Sequence, residues 1–427
     1  MNNKRSVRSK RGYGRISIFV LVDALGWQFA QAHAFLSDML PFRYPVETVL
    51  GFSSAAIPTI LSGEMPEVHG NWCLFKKAKF SSCFKWTLPM LVLPALLREN
   101  HRTRSLVSAL TRAMYGISGY FCLYEVPVSM LHRLDYVERK NLWAPGALSG
   151  CPNIFDRLTS CSVPYYSSGW NRSDEHRTEA SSGALSDGPL RCCFLYLSEL
   201  DAALHRFGLE SRQTKEALAA AGVRIRRLVA RAERLYSCVE LFVFSDHGMT
   251  PVTECHDLQS VMTCSGLDGS RHQAFFDATM ARFWPKDTEA KAQIEKVLAP
   301  LQFGRILSDA DRTELGLRFR TNEYGEIIFV MNPGHLIVPS HVGSKALEAM
   351  HGFHPSDEYS RACFLSSKEL DVPPHHVRDL FSFFVRQLDL DVTKTVGATG
   401  PRRSGIKEGD REDTAGFESE QSSAPQF

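Results

Sequence analysis

Two aspartates follow apolar stretches of the chain and are the first candidates for chemistry. Asp23 follows residues 18–22, and Asp246 follows residues 241–245 and precedes His247. Runs this short and this apolar are typical of buried strands in a parallel sheet, and functional groups gather at the carboxyl ends of such strands. We therefore expect both carboxylates at one edge of a sheet, although an aspartate at a strand end is also typical of a turn or a helix cap.

A second group of candidate ligands combines Asp201, His205 and the more distant His351. Asp201 and His205 lie four residues apart, so they face the same way on a helix and can bind one ion together. Carboxylate and imidazole ligands without thiolates suit zinc, with manganese as the alternative. Two divalent ions about 3.5 to 4 Å apart can stabilise the attacking and the leaving oxygen of an in-line displacement. The residues thus predict a site for two divalent metal ions.

A hydroxyl group suited to nucleophilic attack lies before a predicted helix. A turn at residues 51–54 leads into the apolar residues 55–61, which predict the helix. The turn places Ser53 or Ser54 at a helix N-terminus, where anions are favoured.

The elements that must position these residues alternate between strands and helices. Residues 193–197 and 239–245 predict strands, and the helix predicted over residues 210–236 lies between them. This order calls for crossover connections between parallel strands. We predict an α/β fold with a mostly parallel central sheet sandwiched by helices.

The domain predicted to carry the site spans residues 15–392 and contains two additions. Residues 73–190 are predicted to form a cap insertion, and residues 265–345 are predicted to form a small α+β subdomain with strands near 278–283 and 327–331. The polar, Gly/Ser-rich residues 393–427 predict a disordered tail, and the basic residues 1–14 predict a disordered arm.

Two stretches of the cap insertion differ in composition. Residues 72–163 are rich in aromatic, leucine and basic residues and show no clear strand. Residues 164–189 are rich in Ser, Gly and Asp and predict a mobile loop. The part at 73–133 is predicted either to pack on the core or to contact a membrane surface or a lipid-linked substrate.

Overall composition excludes several classes of protein. The net charge of +2 gives no case for nucleic-acid binding. Eleven cysteines without regular spacing argue against a disulfide framework and against a zinc ribbon. The apolar run at residues 16–25 is interrupted by Asp23 and lacks a signal-peptide cleavage site, so it predicts a core strand, and we expect a cytoplasmic protein.

The sequence resembles the alkaline phosphatase superfamily, most closely its nucleotide pyrophosphatase/phosphodiesterase-like branch. The matching stretches are residues 20–26, 53–70, 201–208, 245–249, 277–284 and 351–353. Any one of these motifs alone would be weak evidence, but their order and spacing agree with the family over most of residues 16–390.

The resemblance implies a role for each matching residue. Ser53 occupies the position of the metal-activated nucleophile, where the phosphodiesterase branch usually has threonine, and Ser54 remains the alternative. The Asn71 amide corresponds loosely to a substrate-binding asparagine. The implied ligands are Asp201, His205 and His351 for one zinc ion, and Asp23, Asp246 and His247 for the other.

The resemblance also implies a reaction. The protein is expected to be a metal-dependent phosphoester hydrolase that cleaves phosphodiester or pyrophosphate bonds in a small phosphoester or nucleotide-like substrate. In-line attack by serine would give a phosphoseryl intermediate. Two alternatives remain, namely a phosphomonoesterase at the same site and a non-catalytic metal-binding protein of the same fold.

Overall fold

The computed structural model of the protein describes residues 12–79 and 82–390. The predicted tail at 393–427 and residues 1–11 of the predicted arm lie outside the described residues. Tyr13 and Gly14, the last described residues of the predicted arm, belong instead to the first strand.

The described residues form strands that gather into one large sheet and four smaller ones. In chain order the strands are β1 (Tyr13–Val22), β2 (Phe42–Val46), β3 (Phe75–Lys77), β4 (Leu134–Tyr136), β5 (Tyr165–Ser167), β6 (Cys192–Leu197), β7 (Tyr236–Phe244), β8 (Thr250–Pro251), β9 (Glu254–His256), β10 (His272–Phe276), β11 (Met280–Pro285), β12 (Gly304–Ile306), β13 (Ile327–Met331), β14 (His335–Ile337), β15 (Ala349–Met350) and β16 (Ala362–Ser366).

The helices alternate with these strands for much of the chain. They are α1 (Trp27–Ala32), α2 (Ser53–Ser62), α3 (Pro66–His69), α4 (Ala95–Arg98), α5 (His101–Tyr115), α6 (Val128–Leu131), α7 (Ile154–Ser160), α8 (Asp174–Asp187), α9 (Glu199–Phe207), α10 (Arg212–Glu233), α11 (Leu258–Cys264), α12 (Thr288–Leu298), α13 (Asp309–Glu314) and α14 (Asp379–Gln387), with 3-10 turns at Lys85–Val92, Asn322–Tyr324 and Glu358–Ser360.

The central sheet has six strands in the order β2-β16-β7-β1-β6-β5. β1 runs parallel to both neighbours, with Leu21 opposite Tyr196 of β6 and opposite Phe244 of β7. On one side β16 pairs antiparallel with β7 and also with β2, so β16 runs against the other strands and β2 runs in the same direction as β7. The predicted mostly parallel sheet is confirmed, and β1, β6 and β7 end at the same edge.

Alternating side chains of β1 divide the core into two layers. Phe19 and Leu21 pack with α2, α7 and α14 on one face. Ile18, Val20 and Val22 pack with α1, α9 and α10 on the other. Because successive side chains of a strand point to opposite faces, a wholly apolar strand is buried on both sides. The predicted sandwich of helices around the sheet is therefore confirmed.

A second sheet lies within the predicted α+β subdomain. It is antiparallel, with strand order β10-β11-β13-β12, and α12 packs on it over a separate apolar core. The prediction of two strands near 278–283 and 327–331 is confirmed, with β10 and β12 as additional strands. The domain boundaries themselves stay a prediction.

Two predictions for the cap insertion were wrong. β3 and β4 form a short antiparallel pair inside the stretch expected to lack strands. β5 and α8 occupy the predicted mobile loop, and β5 pairs in parallel with β6, which makes it the edge of the central sheet. Strands of three residues show no alternation, and α8 is polar along most of its length, so neither has the apolar periodicity that predicts structure.

The cysteines and the lengths of the helices bear on two further predictions. All eleven cysteines are free thiols. Among the described helices, none combines the length and the apolar composition that crossing a bilayer requires. The cytoplasmic location stays a prediction.

Candidate active site

Asp23 and Asp246 lie at the shared edge of the central sheet, each just beyond the end of its strand. Asp23 follows β1, and Asp246 follows β7 after one intervening serine. The backbone N–H of Ala24 donates to Oδ1 of Asp246 over 3.4 Å, so the two strand ends are in direct contact. The parallel arrangement of β1 and β7 thus brings together two carboxylates that are 223 residues apart in sequence.

His247 lies between these two carboxylates. Its Nε2 is 3.1 Å from Oδ2 of Asp246 and 3.5 Å from Oδ1 of Asp23. Its Nδ1 lies 3.0 Å from the carbonyl oxygen of Gly248, which can only accept, so Nδ1 carries a proton and Nε2 faces the carboxylates. Ligand atoms of Asp23, Asp201 and His247 all lie within 4.8 Å of one another.

The remaining three candidate ligands form an adjoining group. Oδ1 of Asp201 is 3.3 Å from Nε2 of His205 and 3.7 Å from Nε2 of His351. Nδ1 of His205 donates to the carbonyl oxygen of Ala349 over 2.9 Å, and Ala349 lies in the short strand that precedes His351. The His247 and His351 rings stack with centroids 3.8 Å apart, so the two groups form one cluster. We call these six residues the buried cluster.

Burial and neighbouring charges shift the pKa values of three residues in the buried cluster. Burial, together with the charges of Asp246 and Asp201, raises the pKa of Asp23 well above its usual value. Burial alone would lower the pKa of His247, yet Asp246 and Asp23 raise it to about 10. Burial and the two neighbouring histidines lower the pKa of His351 well below its usual value. Burial thus makes it costly for Asp23 to be ionised beside its neighbouring carboxylates, and a bound divalent cation would remove that cost.

Several polar atoms of the buried cluster lack hydrogen-bond partners. Oδ1 of Asp23, Oδ1 of Asp201, Oδ2 of Asp246 and Nδ1 of His351 are buried and make no hydrogen bond within the described part of the chain. Leaving buried polar atoms unsatisfied costs about 1 to 3 kcal/mol each, more for charged groups. Atoms of this kind, which converge from two strand ends, helix α9 and the His351 loop, fit the donor set of a metal site.

The structure separates the two candidate nucleophiles. Ser53 opens α2, and its Oγ lies 2.9 Å from Nε2 of His247. The Oγ of Ser54 instead donates to the carbonyl oxygen of Trp72 over 2.8 Å in the protein interior. No side chain caps the N-terminus of α2, since Phe52 occupies the cap position. Ser53 therefore faces the buried cluster at an uncapped helix N-terminus, and Ser54 does not.

Glycines allow the two aspartate loops to approach each other closely. A Cβ atom at Gly248 would lie 2.0 Å from the carbonyl oxygen of Tyr359 and 3.1 Å from the Cα atom of Gly26. Ala24, next to Asp23, has a left-handed backbone with φ of 60°. Close packing of this kind fixes the backbone that carries the ligands, because any larger residue would push the loops apart.

Two hydroxyl groups that the sequence did not single out hold the aspartates in place. The hydroxyl of Tyr196, from β6, donates to Oδ2 of Asp23. Oγ1 of Thr48 donates to the carbonyl oxygen of Asp246 over 2.6 Å. Tyr196 could have been found only through strand pairing, because it lies beside Leu21 in the sheet register. Hydrogen bonds of this kind orient ligands and tune their affinity for metal.

Helix α8, in the stretch predicted as a loop, supports the helix that carries Asp201. Oδ1 of Asp174 accepts from the backbone N–H of Ser198 over 2.9 Å, and Oδ2 accepts from that of Glu199 over 3.1 Å. Arg177 is almost completely buried, pairs with Asp174 and donates to Oγ of Ser198 over 2.7 Å. A sequence signal for α8 exists in Ser173, whose side chain caps it, followed by two acidic residues.

A buried ion pair fixes the loop that contains His351 from the other side. Nε of Arg282 lies 2.7 Å from Oδ2 of Asp277, and the guanidinium also donates to the carbonyl oxygen of Phe75 over 2.8 Å. Between the two, Thr279 donates through Oγ1 to the carbonyl oxygen of Gly352 over 3.1 Å. The motif at residues 277–284 therefore links the small sheet, the cap insertion and the His351 loop.

Asn71 is buried close to α2. Its backbone N–H donates to Nδ1 of His69 over 3.1 Å, and the carbonyl oxygen of Gly70 beside it accepts from the Tyr324 hydroxyl over 2.7 Å. Among the described residues, no hydrogen bond joins its side-chain amide to the buried cluster. Substrate binding by Asn71 stays a prediction.

Fold and site together define a class of protein, a hydrolase of α/β architecture that carries an Asp/His cluster and a serine at one edge of a mostly parallel sheet. The chain belongs to the type I phosphodiesterase / nucleotide pyrophosphatase family, whose sequence profile matches residues 17–357. Members of this family are metal-dependent hydrolases of phosphoester and pyrophosphate bonds, and this chain is an enzyme of that class.

Solved structures agree with this fold. Murine ectonucleotide pyrophosphatase/phosphodiesterase 5, an inactive threonine-to-alanine variant in complex with AMP, is 14% identical with a TM-score of 0.62, over 88% of this chain and 95% of that chain. The human protein of the same name is 13% identical, with the same TM-score and coverage. Among curated proteins, none is significantly similar to this chain in sequence.

Proposed function

We propose that the protein hydrolyses phosphodiester or pyrophosphate bonds of small nucleotide-like substrates, with Ser53 as the nucleophile. The observation that carries this proposal is the position of the Ser53 Oγ, which lies 2.9 Å from Nε2 of His247 at the edge of the buried cluster. Family membership supports the bond type. The AMP in the murine relative supports a nucleotide-like substrate, because AMP is a product expected from such a cleavage.

The proposed cofactors are two divalent metal ions, zinc by donor chemistry and manganese as the alternative. The buried atoms without hydrogen-bond partners support this assignment. When bound, the ions supply positive charge that lowers the pKa of a hydroxyl group and stabilises a leaving oxygen. The proposed ligands are Asp201, His205 and His351 for one ion and Asp23, Asp246 and His247 for the other, with Ser53 in contact.

The proposed reaction starts from the placement of Ser53. Its Oγ gives up its proton to water and attacks phosphorus in line, the bond from phosphorus to the leaving oxygen breaks, and a phosphoseryl intermediate forms on Ser53. The leaving oxygen departs with the bonding electron pair and takes a proton from water. A water molecule then loses a proton and attacks the same phosphorus from the opposite side, the bond from phosphorus to Oγ breaks, and Oγ is protonated again. The uncapped N-terminus of α2 offers backbone N–H groups and a favourable dipole to the phosphoryl oxygens, and Asn71 is the proposed side-chain donor.

Paired substrates and paired serine variants test the mechanism. Bis-p-nitrophenyl phosphate and p-nitrophenyl phosphate would be compared for the zinc-loaded and the chelated enzyme. Ser53→Ala should lower kcat on the order of 1,000-fold or more, because it removes the nucleophile. Ser54→Ala is the matched control and should retain turnover, since the Ser54 hydroxyl points into the interior.

Each outcome of this experiment has a distinct meaning. Full activity of Ser53→Ala would assign the attack to Ser54 or to water, and activity in the chelated enzyme would refute the proposed cofactors. Faster turnover of the monoester would favour the phosphomonoesterase alternative. Stoichiometric metal without turnover of either substrate would favour the non-catalytic alternative.

A specific surface supports a second proposal, that the substrate or the enzyme is associated with a membrane. Within residues 85–115, Glu99 is the single acidic residue and is paired with Arg98, while the basic residues Lys85 and Arg102 are exposed. Val92 is 86% exposed and Leu96 is 90% exposed. On α5, Leu106, Leu110 and Met114 repeat every four residues and face solvent. The other exposed large apolar residues of this segment are Leu88, Leu91, Leu93, Leu97 and Tyr115.

An anionic bilayer fits this combination of charge and apolar exposure. Basic residues near an anionic surface contribute about 1 kcal/mol each, and exposed apolar side chains add to binding by entering the interface. Isolated exposed apolar residues are ordinary, but a contiguous group marks an interaction site. We therefore assign the 85–115 segment to contact with an anionic membrane surface.

Vesicle flotation tests this assignment. The full chain should float with vesicles containing phosphatidylserine, and the double variant Val92→Asp/Leu96→Asp should lose that binding. The matched control is Val223→Asp/Val372→Asp, which adds the same charge at two residues that are each 62% exposed elsewhere on the molecule. Equal flotation of both double variants, or dimerisation of the wild type that the first variant abolishes, would overturn the assignment.

A further inference from the structure

A second cluster of metal-binding side chains lies on the short sheet formed by β9 and β14. Ligand atoms of Glu254, His256 and His335 all lie within 4.8 Å of one another. Nε2 of His256 is 2.9 Å from Nδ1 of His335, and Oε2 of Glu254 is 3.7 Å and 3.8 Å from these two nitrogens. We call these three residues the strand-pair cluster.

Strand geometry explains why the three side chains converge. β9 and β14 are parallel, with His335 opposite Glu254 and Ile337 opposite His256. Glu254 and His256 are two residues apart on one strand, so they project from the same face, and the facing His335 completes the group. Cys255, the residue between them, projects from the other face, so the donor set contains two imidazoles and one carboxylate.

The backbone around the strand-pair cluster is held by several hydrogen bonds. The backbone N–H groups of Thr253 and Glu254 both donate to the carbonyl oxygen of Gly334, over 2.8 Å and 3.2 Å. The N–H of Val338 donates to the carbonyl oxygen of His256 over 3.1 Å. A metal site needs ligands whose main chain is fixed before the ion arrives, and these bonds supply that order.

The His256 imidazole is also prepared for binding. The His256 ring stacks on Phe303 with centroids 3.9 Å apart and planes inclined by 14°, which fixes its orientation. A ring that is already held in one orientation presents its ligand nitrogen without further ordering.

We propose that Glu254, His256 and His335 bind one divalent transition-metal ion, with Zn²⁺ as the best fit to two nitrogens and one carboxylate. This ion is separate from the ions of the buried cluster and does not depend on the proposed reaction. The alternative is a histidine pair joined only by a hydrogen bond.

The position of the strand-pair cluster gives the ion a structural role. β9 follows β8, which begins three residues after His247, and β8 pairs with β15, which immediately precedes His351. β14 follows β13 of the small antiparallel sheet. An ion bound here would therefore clamp the loop beyond the buried cluster to the small sheet, at the partly exposed surface rather than among reacting groups.

Metal content of single variants tests the proposal. The full chain would be equilibrated with excess zinc sulfate, desalted and analysed for zinc by mass spectrometry. His335→Ala should contain one zinc ion per chain less than wild type, and its thermal midpoint should rise less on zinc addition. The matched control is His375→Ala, which removes an exposed histidine next to the bridge between His376 and Glu47, and it should leave the zinc content unchanged.

A conservative variant and an activity assay complete the test. His335→Gln keeps a polar partner for His256 but loses the imidazole, so it should also lose one ion, which excludes misfolding as the cause. Turnover should persist in both variants, whereas a failure of the proposed reaction would appear in wild type as well. Zinc content and thermal shift equal to wild type in both variants would overturn the proposal.

Discussion

The buried cluster and the strand-pair cluster use the same side-chain types in opposite surroundings. The buried cluster draws its six residues from the ends of β1 and β7, from helix α9 and from the loop after β15, and its carboxylate groups are buried. The strand-pair cluster lies on two adjacent short strands, where Glu254 is exposed and both imidazoles are partly exposed.

The difference shows how burial changes what a ligand set demands. Buried carboxylates near each other must be neutralised, because unpaired charge in a low-dielectric interior is costly. Partly exposed side chains are satisfied by water and by each other, so an ion is an addition rather than a necessity. The buried cluster should therefore bind metal tightly and couple it to chemistry, and the strand-pair cluster should bind it more weakly and couple it to local stability.

The largest expected effect comes from Asp201→Asn, because the Asp201 carboxylate lies within 4.8 Å of ligand atoms from both ligand groups of the buried cluster. Changes to residues that only orient metal ligands cost about 10- to 100-fold in activity, so loss of a ligand carboxylate should cost more than about 100-fold in kcat/KM. Steady-state kinetics in zinc-containing buffer measure this. Comparable losses for His335→Ala would erase the proposed distinction between the two clusters.

The next effect concerns the support of the buried cluster. Arg177→Met leaves Asp174 as a buried, unpaired carboxylate beneath α9, which should lower the free energy of unfolding by about 3 to 5 kcal/mol. Urea denaturation followed by circular dichroism measures this. Arg226→Met, which breaks a solvent-exposed pair with Asp38, is the matched control and should change stability much less. Equal effects of the two changes would show that burial of the Arg177 pair is unimportant.

A smaller effect is expected from Tyr196→Phe, which removes the hydroxyl that donates to Asp23. Metal affinity should fall by about 10- to 100-fold, because outer hydrogen bonds orient ligands. Competition with a chromogenic zinc chelator gives this affinity. Tyr165→Phe changes a neighbouring tyrosine whose hydroxyl contacts Thr159 instead, and it should leave affinity unchanged. Unaltered affinity in Tyr196→Phe would mean that Asp23 needs no such support.

The smallest expected effect is a difference between the two clusters in the rate of zinc release. On addition of a chelator, zinc should leave the partly exposed strand-pair cluster before it leaves the buried cluster, which gives release in two phases. His335→Gln should lack the fast phase and keep the slow one. A single phase shared by wild type and variant would indicate that exposure does not govern metal release here.

Local patterns in the sequence were sufficient for much of the fold. The apolar runs before Asp23 and Asp246 predicted β1 and β7, and the parallel sheet followed from the order of strands and helices. Helix α8 escaped prediction because most of its side chains are polar, so no apolar stripe marks it. Strands β3, β4 and β5 escaped because three residues are too few to show alternation.

The candidate site, like the fold, could be predicted from the sequence only in part. Residue types and spacing indicated the six ligands and a choice between Ser53 and Ser54, and the roles of these residues stay predictions. The hydrogen bond from Tyr196 to Asp23, and the network from Asp174 to the start of α9, were invisible because they join segments that only sheet pairing and helix packing bring together.

The sequence by itself determined the candidate metal ligands and nucleophiles, the principal strands and helices, and the family. Each of these follows from short stretches of neighbouring residues. Only the tertiary structure decided which serine faces the buried cluster, which neighbours hold its aspartates, and that Glu254, His256 and His335 meet at all. These outcomes depend on contacts between residues as many as 81 positions apart within the strand-pair cluster, and 173 positions apart between Asp23 and Tyr196. No local pattern encodes such contacts, because they arise from the packing of whole elements against one another.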